Sequence, residues 1–405
     1  MSQIPLLHAL DDHLSLCYHT FFQTGRGRGI GMDVKALEGK LKSIQDAQER
    51  LEVLDSLASH YYDEDDYQRA LKFYKEAQSL ASPGNARAYY TAQFGICHYL
   101  LHNDREAREG LLSARRMSDP TGPDFSPEIH GLLHYFLGSL FEYEGDNASS
   151  LESRLESLQY LEHLHPEARW MLLAGLSRNY EELGESRRAI EYSTQAIAML
   201  SENEPELSYL YESLGHNHYE LEEFDKAVVY FSRVLEIDPD FERKDEIYFA
   251  IGLCYQRLMD YKTALDCYRK LLEAKKLAPK PGENLAWLYA EIAYCHHQLN
   301  EHEDVIRVVQ AALREPIEKK EELAELRGLL ASSYLGLGRY QEAVREGERT
   351  LKLCRQFSGI ETMLPSLAMA YYHLGNLDQF RLYREWCNRD YANRSATRQL
   401  NKLKA

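Results

Sequence analysis

The sequence predicts an all-α fold assembled from repeated helical hairpins, and three observations lead there. Val, Ile and Thr together number only 32 of 405 residues, whereas Leu alone numbers 60. Strands are built from branched side chains because those pack well on a pleated surface, so a large sheet is not expected. Gly and Pro are sparse at 23 and 12, which leaves few interruptions for long helices. The third observation is a pattern of small, ring and alanine positions that returns nine times along the chain.

At the N-terminus, residues 4–22 read as one helix with Ile4, Leu7, Leu10, Leu14, Cys17 and Phe21 on a single face. A glycine-rich break follows at 25–31. From Val34 the apolar positions Leu37, Leu41, Ile44, Leu51, Leu54 and Ala58 keep heptad-like spacing without a proline, so a second helix is expected to run unbroken into the first repeat. Residues 1–50 are assigned to a helical cap that covers an otherwise exposed apolar face. The glycines at 25–31 do not carry the G-x-G-x-x-G spacing of a dinucleotide loop, since counting from Gly25 or Gly27 ends on Ile30 or Met32.

The nine units begin near residues 51, 88, 131, 170, 208, 245, 286, 324 and 361. A small residue recurs at Ala58, Gly95, Gly138, Ser177, Gly215, Gly252, Ala293, Ala331 and Ala368, always after an apolar one. Three places later stands a ring: Tyr61, His98, Phe141, Tyr180, His218, Tyr255, His296, Tyr334 or Tyr371. Twelve places after the small residue come Ala70, Ala107, Ser150, Ala189, Ala227, Ala264, Val305, Ala343 and Phe380. Two helices approach closely only where each presents a small side chain to the other, and the ring fills the space beside that contact. A unit this size cannot bury its own apolar face, so successive units must stack.

This pattern resembles the tetratricopeptide repeat over residues 51–394, and the resemblance implies a right-handed α-solenoid with a concave groove. Spacings of 37, 43, 39, 38, 37, 41, 38 and 37 residues all exceed the usual 34. Breakers at 118–128 and at Pro279 and Pro281 fall between units, where extra residues do not disturb stacking. The unit at 131 has Ser150, Arg154 and Ser157 where the repeat places alanine, ring and alanine, and is expected to be a looser joint. Residues 395–405 form a basic tail, with Arg398, Lys402 and Lys404 continuing from Arg389 and Arg394.

Composition narrows the function classes. A net charge of −17 repels phosphate backbones, so nucleic acid is not expected as a partner. No run approaches the ~18 apolar residues of a membrane span. Seven widely spaced cysteines without a C-x-x-C pair fit reduced thiols in apolar faces rather than disulfides, and the expected location is cytoplasmic. No catalytic motif is found, and no cofactor is expected. The histidine groups His296-His297, His216/His218 and His163/His165 lack metal-ligand spacing with suitable company, so no metal site is assigned.

The resemblance places the inner wall on particular positions of each unit's first helix. Here those are Tyr62, Tyr89, Tyr99, Tyr135 and Tyr143, then Arg178, Glu181, Glu182, Glu212, Tyr219 and Glu220, then Phe249, Leu253, Trp287, Tyr294, His297 and Tyr372. Asparagines of the clamp that holds chaperone carboxylate tails are missing. Rings offer contact area at low conformational cost, and carboxylates beside them favour Lys or Arg on a ligand. The expected role is a non-enzymatic scaffold or adaptor that grips a basic-apolar segment of another protein. The alternative is a peptide-responsive regulator, since length and N-terminal helices resemble the Rap-type repeat regulators.

Overall fold

The computed structural model describes residues 34–202, 204–277, 284–314, 316–354, 359–391 and 395–403. The helix expected at 4–22 and the glycine break at 25–31 lie outside them, as do Pro279, Pro281, Arg394 and Lys404. Among the described residues there are twenty α-helices and no strand. They fall into two compact units, one ending at Leu221 and the other starting at Glu222.

The first unit holds α1 (Val34–Leu41), α2 (Ala47–Asp63), α3 (Tyr67–Leu80), α4 (Asn85–Leu100), α5 (Asp104–Met117), α6 (Pro127–Tyr143), α7 (Asn147–Leu158), α8 (Pro166–Glu182), α9 (Ser186–Ile197) and α10 (Leu207–Glu220). The second holds α11 (Phe224–Ile237), α12 (Lys244–Arg257), α13 (Tyr261–Leu277), α14 (Ala286–Gln298), α15 (His302–Ala312), α16 (Lys320–Gly336), α17 (Tyr340–Leu353), α18 (Ile360–His373), α19 (Leu377–Tyr391) and α20 (Ser395–Leu400). Apart from α10 and α11, which fall in different units, each helix of a hairpin packs on its partner, and adjoining hairpins within a unit pack on one another. This is the α-solenoid arrangement: no helix needs a distant partner to bury its apolar stripe.

The sequence pattern maps onto this packing. All nine residues at the helix-B position are 0–1% exposed, from Ala70 through Ala343 to Phe380 in the last hairpin. The facing positions Ala58, Ser177, Ala293, Ala331 and Ala368 are equally buried. In the second hairpin both faces are glycine, and the helices meet backbone to backbone. A Cβ on Gly110 would stand 3.0 Å from Gly95 Cα, and one on Gly95 would stand 2.9 Å from the amide of Leu111.

The repeat is also written in the backbone. Seven residues after each small position the chain turns left-handed, at Asp65, His102, Gly145, Gly184, Glu222, Met259, Asn300, Gly338 and Gly375, with φ between 55 and 77°. The amide after it reaches back to the ring residue, from Asp66 to the Tyr61 carbonyl (2.8 Å) in the first hairpin and from Asn376 to Tyr371 (3.0 Å) in the last. This 6→1 bond is the Schellman closure, which ends a helix by satisfying its orphan carbonyls. The next helix then starts at once, and Asp66, Asp146, Asp260 and Asn376 accept from amides three residues on.

One expectation changes. The helix from Val34 does not run through: α1 ends at Leu41 and α2 starts at Ala47, with Asp46 Oδ1 capping Glu49 N–H (2.8 Å). Ile44 in the gap is still buried, so the apolar spacing persisted without a helix beneath it. The connection at 118–126, where the breakers fall, is held by a side chain of α4. The Asn85 amide donates to the carbonyls of Asp119 (2.8 Å) and Pro123 (2.9 Å) while its oxygen accepts from Asp119 N–H (2.7 Å).

The left-handed turns yield a paired prediction. Met259 is 76% exposed, so its side chain adds little packing, yet an L-residue there carries a backbone penalty of roughly 1–2 kcal/mol. Met259→Gly should raise stability by up to about 1 kcal/mol after the entropy of glycine is subtracted. A Cβ on Gly375 would meet nothing within 4 Å, so Gly375→Ala should cost about 1 kcal/mol through strain alone. Urea midpoints of the two variants should move in opposite directions.

Candidate functional site

In the first unit the A helices α4, α6, α8 and α10 touch one another in succession, and in the second α14, α16 and α18 do. The residues predicted to line their common face divide by burial. Tyr62 and Tyr135 are 3% exposed: Tyr62 meets Tyr67 edge to face at 5.5 Å, and Tyr135 meets Phe136 at 5.2 Å. Tyr99 is half-buried against Phe136 at 5.3 Å, and Tyr89 lines a shallow open recess between α4 and α6. Tyr219 is half-buried, while Tyr143, Glu182 and Glu220 are exposed.

Three predicted polar residues have partners within their own unit. Arg178 donates two hydrogen bonds to Glu142 (2.9 and 3.1 Å). Glu181 accepts from the Ser213 hydroxyl and from the Asn217 amide (2.7 Å). Glu212 is buried, with its carboxylate 3.8 Å from His216 Nε2.

Behind these lies a polar seam that the repeat pattern hides. Ser150 donates to the Gly138 carbonyl (2.8 Å) and Ser157 to that of Gly131 (2.7 Å). Arg154, 1% exposed, donates from Nη1 to the Gly175 carbonyl (3.0 Å) and Asn179 Oδ1 (2.7 Å), and from Nη2 to Glu142. Its stem occupies space that two glycines vacate, since a Cβ on Gly138 or Gly175 would come within 2.6 Å or 2.5 Å of it. The expected looser joint is therefore a bonded one. Burial by itself would raise the Glu142 pKa, but Arg154 and Arg178 outweigh burial and hold it down at about 2.

In the second unit Phe249 stands edge-on to Trp287 at 4.9 Å and tilted over Tyr268 at 5.7 Å. Leu253 is half-buried, and so is Tyr372, 5.1 Å from Phe380. Tyr294 is 38% exposed, edge-on to Tyr261. His297 lies 6.0 Å from His302, and burial lowers its pKa with help from that neighbour. Sequence reasoning did not find Gln256, which donates to the part-buried Glu291 (2.8 Å); burial raises the Glu291 pKa. The buried thiols include Cys97, Cys254, Cys295 and Cys387, and burial pushes the last three up to about 12. No described helix is long and apolar enough to cross a membrane.

A family model described as tetratricopeptide repeat matches residues 208–241 and 245–276. No curated protein matches the sequence. Among solved structures, the apo form of RapI aligns with 14% identity and a TM-score of 0.52, covering 91% of this chain and 98% of that one. A tetratricopeptide repeat protein from Parabacteroides merdae aligns at 16% identity and TM-score 0.41 over 70% of this chain and 99% of its own. The C-terminal part of a repeat-containing protein from Cytophaga hutchinsonii aligns at 16% identity and TM-score 0.40, covering 75% and 97%. At these identities the likeness is one of fold.

The seam makes a pH prediction. Because the Glu142 pKa falls from an ordinary 4.5 to about 2 on folding, its stabilisation is present above pH 4.5 and is lost as pH drops from there toward 2. Glu142→Gln leaves two guanidinium groups without their shared anion and should cost about 3 kcal/mol at pH 7. Urea unfolding of both proteins should show that gap closing as pH falls through this window.

Proposed function

We propose that this chain of stacked helical hairpins, in which residues 208–241 and 245–276 match the tetratricopeptide repeat, is a non-catalytic scaffold or adaptor holding a segment of another protein on its helix-A face. The observation that carries this reading is a row of helix ends in the first unit. Tyr143, Glu182 and Glu220 are the last residues of α6, α8 and α10, each five places after its small residue, and all three are exposed. Because these A helices touch in succession, the row presents one ring and two carboxylates at equivalent positions. Helix C-termini carry partial negative charge, which adds to the carboxylates in favouring a cation. A tyrosine with its body available and a polar tip is a common anchor at protein interfaces.

The matching ligand is a segment with apolar anchors and Lys or Arg, in keeping with the net charge of −17. Tyr143 would take the anchor and Glu182 and Glu220 the cations. Arg178 and Glu181 would act indirectly, by holding the helix-A layer through Glu142 and Asn217. Among the described residues of the second unit, Tyr294 is the most exposed predicted ring and would be that unit's own anchor.

Binding of a labelled basic-apolar peptide to the full chain, followed by fluorescence anisotropy, tests this reading. Glu182→Lys/Glu220→Lys should weaken binding about tenfold and reduce its salt dependence, and Tyr143→Ala should weaken it about fivefold at all salt concentrations. Affinity unchanged in both variants would refute the proposed face. The peptide-responsive alternative uses the same face but adds a coupled change: scattering should show compaction with peptide, and affinity for a second partner should shift. Binding without either change leaves the scaffold.

A further inference from the structure

We propose that His130, His134 and Glu156 form a binding site for a divalent first-row cation of the zinc class, tying α6 to α7 in the third hairpin. The two histidines are one turn apart on α6, and Glu156 faces them from α7. One ring nitrogen from each histidine and a carboxylate oxygen all lie within 4.8 Å of one another, with His130 Nε2 3.7 Å from Glu156 Oε1. Two imidazoles and a carboxylate are a donor set suited to zinc, and three protein ligands leave one tetrahedral position for water. Donor atoms around such a cation sit about 3.4 Å apart, a contraction within reach of the Glu156 side chain, which is 37% exposed.

A second observation points to a missing ligand. His134 is 3% exposed, and its Nδ1 is buried with no hydrogen-bond partner. An orphan nitrogen of that kind is costly unless something binds it. Arg115 lies close enough to both rings to act on them electrostatically.

The surroundings are built for the same purpose. Ser118 Oγ lies 2.8 Å from His130 Nδ1, an outer contact that orients the ring and leaves Nε2 toward Glu156. Tyr160 packs edge-on to His130 at 4.9 Å and Phe125 lies at 5.3 Å, giving an apolar surround. Next to the ligands, the Ser157 bond to the Gly131 carbonyl fixes the spacing of the two helices. The other triad of possible ligands among the described residues differs: His296 already has Nδ1 on Glu301 (2.6 Å) and Nε2 on an Arg269 nitrogen (3.2 Å), and Asp304 is paired with Arg307.

The test is Zn²⁺ titration of the chelator-treated full chain by calorimetry, with Co²⁺ absorption as a report of ligand geometry. Wild type should bind one Zn²⁺ at this site, melt at a higher temperature with it, and give the intense visible bands of four-coordinate Co²⁺. Glu156→Gln should weaken that binding at least tenfold, and His134→Phe should abolish it. Arg115→Gln removes a nearby cation, held in the protein by Glu152 (2.9 Å), and should tighten binding a few-fold. Should His134→Phe fail to fold, the partly exposed Glu156→Gln decides, with circular dichroism confirming its helices. Absence of Zn²⁺ binding tighter than about 10 µM in wild type, or binding unchanged in Glu156→Gln, overturns the proposal.

Discussion

Everything in the hairpins depends on how closely two helices approach at one small residue each. That contact fixes which ring fits beside it, and the ring's own carbonyl closes the helix five residues later. The left-handed residue between them then turns the chain so that the next helix returns along the first. Sterics at Gly95 and Gly110 show the limit of this scheme, since neither backbone has room for even a methyl group without a shift. At Gly252 the opposing group is the buried ring of Tyr268, whose Cε1 would stand 2.4 Å from an added Cβ. Small-to-backbone and small-to-ring contacts are two solutions to the same spacing.

The third hairpin departs from that scheme and keeps its rigidity by other means. Serines replace the alanines and an arginine replaces the ring, and the glycines opposite give the arginine room. The exchange works because nearly every group involved is bonded: two serines to carbonyls, Asn179 to Ser150, and Arg154 to three acceptors, with only its Nε lacking a partner. A buried charge is tolerated where its counter-charge is held in place, and Glu142 has two guanidinium groups against it. The cost of removing any one member is set by what remains buried and unpaired, rather than by the strength of the bond lost.

The period of the fold was legible because small, ring and alanine positions sit within one helix or one hairpin of each other. The turn was only half legible. Gly145, Gly184, Gly338 and Gly375 stand seven places after their small residues, but Asp, His, Glu, Met and Asn occupy the same position elsewhere and hide it. The break after Leu41 was misread because Ile44 is apolar and buried, so heptad spacing alone cannot separate a continuous helix from two. Arg154 read as a defect because its partners lie 12 and 25 residues away. The predicted groove residues are mostly rings and carboxylates on A helices, and whether each faces solvent or a neighbouring helix depends on packing that no single segment contains. His130 and His134 are visible as a one-turn pair; Glu156 joins them only when the hairpin closes.

Contacts confined to adjoining hairpins also shape how such a chain comes together and apart. Each pair of helices buries its surface after closing only a short loop, so the entropic barrier to forming any one pair is low. Assembly can nucleate at several places and spread outward, and opening can begin at an end without dismantling the rest. A single melting temperature would then average over segments of unequal strength, with the bonded third hairpin outlasting its neighbours.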